Sequence, residues 1–261
     1  MVHTDSDISY TYDTQNERNR LDVYYSQKDS NRDVLIFVHG GAWESGSKDL
    51  YSYLGRNFVR AGLVTVLINY SLSPNPIQRM AQDCTAAVMW VYQNISVYGG
   101  NPNRIFLMGH SAGGHLIELI NADTRYFAEY RIRRNPIFGI ILLDAFGLDM
   151  YQYLNSGSAV SDRYYNTYIQ VFSSDPRRWK RASPMRYRQN IRNPHLILVG
   201  ERTYPTIQKQ SRQLYNFLLT TRQAPVEFYE IPRRNHSGMV VYMFFSSNQQ
   251  YDIILNFMRR Y

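Results

Sequence analysis

The stretch Arg104–Asn121, RIFLMGHSAGGHLIELIN, constrains the fold of this chain more than any other. Its first residues, Arg104–Met108, are mostly apolar and lie between Asn-Pro-Asn and a glycine, which predicts a short buried strand. From Ala112 onward apolar residues recur at helical spacing, so a helix follows. A strand that turns at once into a helix across Gly-His-Ser-Ala-Gly is typical of the G-x-S-x-G elbow, which exposes the oxygen of its central serine, Ser111.

Ser111 is therefore a candidate nucleophile. The glycines around it suit a tight turn in which a Cβ atom would collide with the neighbouring backbone. The helix that follows directs its first N–H groups, beginning with that of Ala112, toward a developing oxyanion. Because so short a motif also occurs by chance, the alternative is a glycine-rich turn between strand and helix that carries no chemistry.

The rest of the chain alternates between strand and helix patterns. Asp7–Tyr12 and Leu21–Tyr25 alternate apolar with polar residues and predict an antiparallel edge pair, whereas Val34–Val38 is continuously apolar, as a strand buried on both faces requires. This alternation predicts the α/β class: a mostly parallel, eight-stranded sheet with helices on both faces. We expect one domain over residues 1–261, with ligands at the carboxyl ends of the strands. Residues 146–192 show no clear period and predict a lid-like insertion.

Composition places the chain among globular proteins. Hydrophobic residues make up 44% of it, and no apolar run approaches the roughly 18 residues of a membrane span. The polar N-terminus lacks the apolar core of a signal peptide, which predicts a cytoplasmic protein; a signal removed from a longer precursor is the alternative. The net charge is +8, but no nucleic-acid-binding motif accompanies it, so we expect a solvated basic surface rather than a nucleic-acid partner.

Two further features stand at the ends of predicted strands. His39-Gly40-Gly41 follows Val34–Val38, and its glycines let backbone N–H groups approach a bound carbonyl, so Gly40 and Gly41 complete an oxyanion hole with Ala112. His236 follows the eighth predicted strand and is the histidine best placed to accept the proton of a serine.

The order of HGGAW, NYSLSP and NPNRIFLMGHSAGGH, followed by a late histidine, resembles the α/β-hydrolase superfamily. Within it the chain is most similar to the hormone-sensitive-lipase-like esterases and the kynurenine-formamidase-like hydrolases. The resemblance implies Ser111 as nucleophile, His236 as general base, and Gly40, Gly41 and Ala112 around the oxyanion. It implies hydrolysis of carboxylic esters or small amides without a cofactor or a metal, and it does not choose among acyl groups.

The triad acid departs from the family pattern. Such enzymes place it in a Gly-x-x-Asp turn after the seventh strand, whereas this chain reads Gly-Glu-Arg-Thr and ends that turn on Thr203, which carries no charge. Some superfamily members, pancreatic-type lipases among them, draw the acid from the end of the sixth strand, and Asp144 fits that placement. Glu201 and Asp149 are the alternatives, and a site without an acid is the last.

A second departure concerns Asp83. Related enzymes read Tyr-Arg-Leu where this chain has Tyr-Ser-Leu, and their arginine pairs with an acid on the next helix. Asp83 therefore needs another partner or a solvated position.

The sequence thus predicts a carboxylesterase-type serine hydrolase that acts on a small short-acyl, aryl or sugar ester through an acyl-enzyme. The alternatives are a kynurenine-formamidase-like amide hydrolase and a hydrolase homologue that binds a small ligand without turnover. We expect the tyrosines of 146–192 to shape the pocket: Tyr151, Tyr153, Tyr164, Tyr165 and Tyr168. Arg233 and Arg234 favour anionic substrates, unless both side chains point into water.

Overall fold

A computed structural model describes residues 1–12, 16–27, 30–132 and 134–261 of the chain. The strands are β1 His3–Ser9, β2 Arg20–Tyr25, β3 Arg32–Val38, β4 Val64–Ile68, β5 Gly100–His110, β6 Ile137–Leu143, β7 His195–Arg202 and β8 Val226–Asn235. The α-helices are α1 Ser52–Arg60, α2 Ile77–Asn94, α3 Ala112–Ala122, α4 Arg125–Ala128, α5 Met150–Leu154, α6 Tyr165–Phe172, α7 Pro176–Arg181, α8 Pro205–Thr221, α9 Gly238–Val241 and α10 Gln249–Arg260. Short 3₁₀ helices span Lys48–Tyr51, Ile95–Tyr98, Ser158–Ser161, Pro184–Asn190 and Tyr242–Phe244.

The strands form one eight-stranded sheet in the order β1-β2-β4-β3-β5-β6-β7-β8. Strand β2 pairs antiparallel with both β1 and β4, and all the other neighbours pair parallel. The register aligns the carboxyl ends of the central strands: Val38 pairs with Gly109, and Leu143 pairs with both His110 and Leu198. The residues that follow β3, β5, β6 and β7 therefore meet at one edge, and ligands of such sheets bind at the carboxyl ends of the strands where the strand order reverses.

Each central strand is buried on both faces, so alternate side chains enter two different cores. On one face Ile36, Leu107 and Leu142 pack in the core that includes residues of α2, α3 and α8. On the other, Phe37 and Met108 pack in the core that includes residues of α1 and α10. The predicted α/β class and the mostly parallel eight-stranded sheet are confirmed.

Two sequence-based boundaries are wrong. The first strand is His3–Ser9 rather than Asp7–Tyr12, because its mostly polar residues are ordered by backbone pairing to β2, which apolar alternation does not reveal. The sequence pattern after the eighth strand also predicts one last helix over Met239–Met258, but the structure has no continuous helix there. The helical stretch breaks after the 3₁₀ turn, and α10 begins anew where the side chain of Asn248 accepts the Gln250 N–H.

Residues 146–192 are more regular than expected, since they contain α5, α6 and α7. The helices are too short to reveal a period, and local polar contacts set their ends. The side chain of Asp149 caps α5 by accepting the Gln152 N–H, and that of Asp175 caps α7, where Pro176 occupies the first helical position. Signals of this kind are visible in sequence only as isolated Asp residues.

Candidate active site

The nucleophile elbow has the strained geometry that the motif demands. Ser111 joins β5 directly to α3 with φ of 55° and ψ of −120°, a backbone conformation that costs energy for any residue with a Cβ. A Cβ at Gly109 would lie 2.5 Å from the Gly113 carbonyl oxygen, and one at Gly113 would lie 2.1 Å from the Val38 oxygen. Neither position tolerates a larger residue, so the glycines hold the turn and bring β3 against it.

Ser111, His236 and Asp144 form a chain of hydrogen bonds. The His236 Nε2 lies 2.8 Å from the Ser111 Oγ, and the His236 Nδ1 lies 2.6 Å from the Asp144 Oδ2. Since the carboxylate accepts, Nδ1 carries the hydrogen and Nε2 is left to accept from the serine hydroxyl. The three residues singled out from the sequence therefore come together, in the tautomer that a general base requires.

Asp144 is completely buried and is held by two further donors. Its Oδ1 accepts the Gly200 N–H at 2.9 Å, and its Oδ2 accepts the hydroxyl of Thr203. Thr203 thus stands beside the acid rather than replacing it. The position of Thr203 in the family's Gly-x-x-Asp turn was the one signal in the sequence that it would contact the carboxylate bonded to His236.

The two alternative acids lie elsewhere. Glu201 is exposed, and its carboxylate accepts the backbone N–H of Arg233. Asp149 caps α5 through its side chain. Neither carboxylate contacts His236, so Asp144 is the carboxylate that the structure brings to the histidine.

The His39-Gly40-Gly41 loop lies against the nucleophile. A Cβ at Gly40 would come within 3.0 Å of the Ser111 Cβ, and Gly41 has a φ of 116°, which a side chain would strain. Ala112 is the first residue of α3, and the first N–H groups of a helix have no partner within it. The loop and the helix end therefore flank Ser111 as an oxyanion hole requires.

Arg18 holds this loop from behind, a role that the sequence did not reveal. Its guanidinium donates to the carbonyl oxygens of Tyr70 and Gly46 at 3.0 and 3.1 Å and lies 3.3 Å from the His39 Nε2. His39 in turn donates from Nδ1 to the Gly40 oxygen at 2.7 Å, and burial lowers its pKa to about 4. His39 is thus a neutral side chain that braces the loop.

His110 contacts the candidate base. Its ring stacks on that of His236, with centroids 4.8 Å apart, and its Nε2 donates to the His236 carbonyl oxygen at 3.0 Å. Burial, and then the neighbouring imidazole, lower the pKa of His110 to about 3. A neutral ring at this position holds His236 without placing a second positive charge beside it.

The segment 146–192 packs over the loop that follows β3. Trp43 is fully buried, and its ring meets that of Phe172 edge-on at 4.9 Å. The Thr167 hydroxyl donates to the Glu44 carboxylate, which joins α6 to the same loop. The segment 146–192 therefore lies at the active-site edge of the sheet. Trp43 is buried between the loop after β3 and this segment and does not face solvent.

The tyrosines expected to shape the pocket take different positions. Tyr168 is 2% exposed, and its hydroxyl donates to Asp162, as does that of Tyr153. Tyr204, outside the segment, has its ring 5.1 Å from that of His236 and is half exposed. No motif in the sequence singled it out, and its ring offers a half-exposed aromatic surface beside the candidate base.

The positive charges before His236 are placed differently from one another. Arg233 is exposed, whereas Arg234 is partly buried and its guanidinium lies 4.0 Å from the centroid of the Tyr242 ring.

Asp83, which lacks the usual arginine, accepts the Ser71 N–H and pairs with Arg79 one helical turn earlier at 3.1 Å.

Comparison with known proteins agrees with this architecture. Esterase B from Lactobacillus rhamnosis has a TM-score of 0.82 at 16% identity, covering 99% of this chain and 85% of that one. An esterase of the bacterial hormone-sensitive lipase family has a TM-score of 0.75 at 19% identity, covering 99% and 84%. The chain therefore has the α/β-hydrolase fold that these esterases share.

The particular family follows from the sequence. Residues 21–218 match the BD-FAE family model, and the chain belongs to that family. The esterase LipQ of Mycobacterium tuberculosis is 31% identical over 224 residues, which cover 78% of this chain and 50% of that protein. The isoprenylcysteine alpha-carbonyl methylesterase ICME of Arabidopsis thaliana is 42% identical over 101 residues, covering 38% and 24%. The chain thus spans between a quarter and a half of the length of these relatives.

Proposed function

We propose that the protein hydrolyses carboxylic esters through an acyl-enzyme on Ser111. The observation that carries the proposal is the hydrogen-bonded chain from the Ser111 Oγ through His236 to the buried carboxylate of Asp144. A serine hydroxyl is a weak nucleophile on its own, and this arrangement supplies the base that removes its proton and the charge that stabilises the resulting imidazolium.

The reaction proceeds in two halves. The Ser111 Oγ bonds to the ester carbonyl carbon while its proton passes to the His236 Nε2, and the carbonyl oxygen becomes an oxyanion facing the N–H groups of Gly40, Gly41 and Ala112. When the intermediate collapses, the C–O bond to the alcohol breaks and the alcohol leaves with the proton from Nε2. A water molecule then repeats the sequence on the acyl-enzyme, releasing the acid and restoring the serine.

The relatives support an ester as the bond cleaved. LipQ and esterase B are esterases by name, and ICME is a methylesterase. We propose that 146–192 forms a lid-like wall of the acyl or leaving-group pocket, since it packs on the loop after β3. Tyr204 offers a half-exposed ring beside the base, which favours a leaving group with a flat or sugar-like face.

Covalent labelling tests the nucleophile. A fluorophosphonate should add to the peptide that contains Ser111, and Ser111→Ala should abolish both the label and the hydrolysis of p-nitrophenyl acetate. The matched control is Ser237→Ala, which removes an exposed serine next to His236 and should keep both. Labelling of another residue in folded protein would refute the assignment.

Two alternatives make different predictions in the same assays. A homologue that binds a small ligand without turnover would neither label nor hydrolyse p-nitrophenyl acetate. A kynurenine-formamidase-like enzyme would label but would prefer formyl-kynurenine in a panel that also contains short acyl esters, acetylated sugars, feruloyl esters and methyl esters. The intact hydrogen-bonded chain favours turnover over binding alone, since a binding site has no use for an oriented base.

A further inference from the structure

An apolar surface begins directly after the candidate base. From Gly238 to Phe245 the chain reads GMVVYMFF, without a single charged side chain. Its inward residues, Met239, Val240 and Met243, fill the core beneath α1 and α10. Its outward residues are 59%, 47%, 62% and 61% exposed: Val241, Tyr242, Phe244 and Phe245. We call these four residues the aromatic patch.

The aromatic patch is fixed in place by its inner side. The Tyr53 hydroxyl donates to the Val240 carbonyl oxygen at 2.9 Å, and the ring of Tyr53 lies 5.7 Å from that of Phe244. Phe244 and Phe245 contact each other edge-on at 5.5 Å. The two phenylalanines therefore bury little of their apolar surface in the folded chain, although burial would stabilise each of them. The backbone that carries them is held in place by these contacts of its inner side.

The elements that carry the patch are basic throughout. The stretch 232–248 contains Arg233 and Arg234 and no acidic residue, and α1 contains Arg56 and Arg60 and no acidic residue. Arg234 lies over the Tyr242 ring. At the other end Arg60 donates to the side chain of Asn57, whose amide in turn donates to the carbonyl oxygens of Met243 and Phe244. Positive side chains thus stand at both ends of the exposed rings.

We propose that the aromatic patch binds an anionic lipid surface. Aromatic side chains at the level of the lipid headgroups bury their rings in the acyl boundary, and arginines beside them attract acidic headgroups. A protein partner of the same hydrophobicity would not require that both carrying elements, the stretch 232–248 and α1, hold arginines and no carboxylate, and the +8 net charge of the chain adds to the attraction. The interaction is peripheral: among the residues described, no helix is long and apolar enough to cross a bilayer.

Co-sedimentation with sucrose-loaded vesicles tests the proposal without any substrate, so it stands or falls independently of the chemistry at Ser111. Wild-type protein should bind vesicles of phosphatidylcholine with phosphatidylserine, and bind phosphatidylcholine alone more weakly. Phe244→Ser with Phe245→Ser should lower the partition coefficient about tenfold or more, because apolar burial drives insertion. Val97→Ser with Leu219→Ser removes two exposed apolar side chains elsewhere and should leave binding unchanged.

The charge is tested by a second pair of variants. Arg56→Gln with Arg60→Gln should weaken binding to the acidic vesicles about tenfold or more and flatten its salt dependence. Arg177→Gln with Arg178→Gln, the same charge change on α7, should not. All variants should keep the wild-type circular dichroism and the wild-type rate on p-nitrophenyl acetate.

Three results would overturn the proposal. One is the absence of vesicle binding by the wild type, and another is equal binding by the phenylalanine double variant. The third is a dimer in solution that dissociates in the phenylalanine double variant and does not bind vesicles, which would assign the patch to a second copy of the chain.

Discussion

At the scale of single residues, the contacts of Asp144 support its proposed role as the acid of the triad. Its carboxylate is buried and bonded to the His236 Nδ1, whereas Glu201 is exposed and bonded to a backbone N–H of β8. We therefore expect Asp144→Asn, which keeps the shape but removes the charge, to lower kcat by roughly 10²–10⁴-fold. Glu201→Gln should lower it by much less. Steady-state kinetics on p-nitrophenyl acetate compares the two, and the reverse ranking would return the acid to the seventh strand.

Thr203 allows a sharper test of the same geometry. Because its hydroxyl donates to the Asp144 Oδ2, an aspartate there would place two carboxylates against one another, and such a pair shares a proton. Thr203→Asp alone should therefore lower kcat. In the Asp144→Asn background the same change should restore part of the lost activity, since it returns a single charge to the neighbourhood of His236. A double variant no faster than Asp144→Asn would contradict this.

At the scale of elements, the loop after β3 depends on a residue from the N-terminal part of the chain. Arg18 donates to the carbonyl oxygens of Tyr70 and Gly46, and hydrogen bonds from a charged group contribute about 1.5–3 kcal/mol each. Without these hydrogen bonds the glycines of the loop have more conformational freedom. Their N–H groups are then held less well in place, and fixed N–H groups stabilise the oxyanion of the transition state more than the ground state.

We expect Arg18→Gln to lower kcat about tenfold, with a smaller change in KM. Arg177→Gln, which removes an exposed arginine on α7, is the matched control and should change neither constant. If Arg18→Gln raised KM with kcat unchanged, Arg18 would contribute to substrate binding instead of to the position of the loop.

Sequence alone predicts the elements that have a strong physical signal. The buried central strands and the elbow were correctly placed, because continuous apolar runs and a serine between glycines admit few other structures. The short helices of 146–192 were missed, since their caps at Asp149 and Asp175 depend on local hydrogen bonds. Asp144 could be ranked above Glu201 and Asp149 but not chosen from the sequence. The choice required the arrangement of the sheet that brings the end of β6, with Asp144, to His236 after β8.

At the scale of the whole molecule, three buried histidines make folding sensitive to acid. Burial lowers the pKa of His39 to about 4, that of His110 to about 3 and that of His115 to about 4. In the unfolded chain each imidazole has a pKa of about 6.5. Between about pH 6.5 and 4 the unfolded state binds more protons than the folded state. The free energy of unfolding therefore has its highest value above about pH 6.5 and falls as the pH decreases through this window.

Each such histidine contributes a slope of about 1.4 kcal/mol per pH unit across this window. His115→Gln retains an N–H that can reach the Ala182 carbonyl oxygen, so we expect it to reduce the total slope by that amount. Urea unfolding at several pH values between 7 and 5 measures it. Equal slopes for His115→Gln and wild type would show that the folded protein protonates this imidazole.

The hydrogen bond between Thr203 and Asp144 bears on how such a site changes over generations. Two strands offer a place for the acid, and the two places lie within a hydrogen bond of each other. A lineage can therefore exchange one acid for the other by two single substitutions, through an intermediate that holds both carboxylates. A survey that looks for the triad acid only after the seventh strand would class such descendants as inactive. In them the carboxylate has only moved to the neighbouring position after the sixth strand.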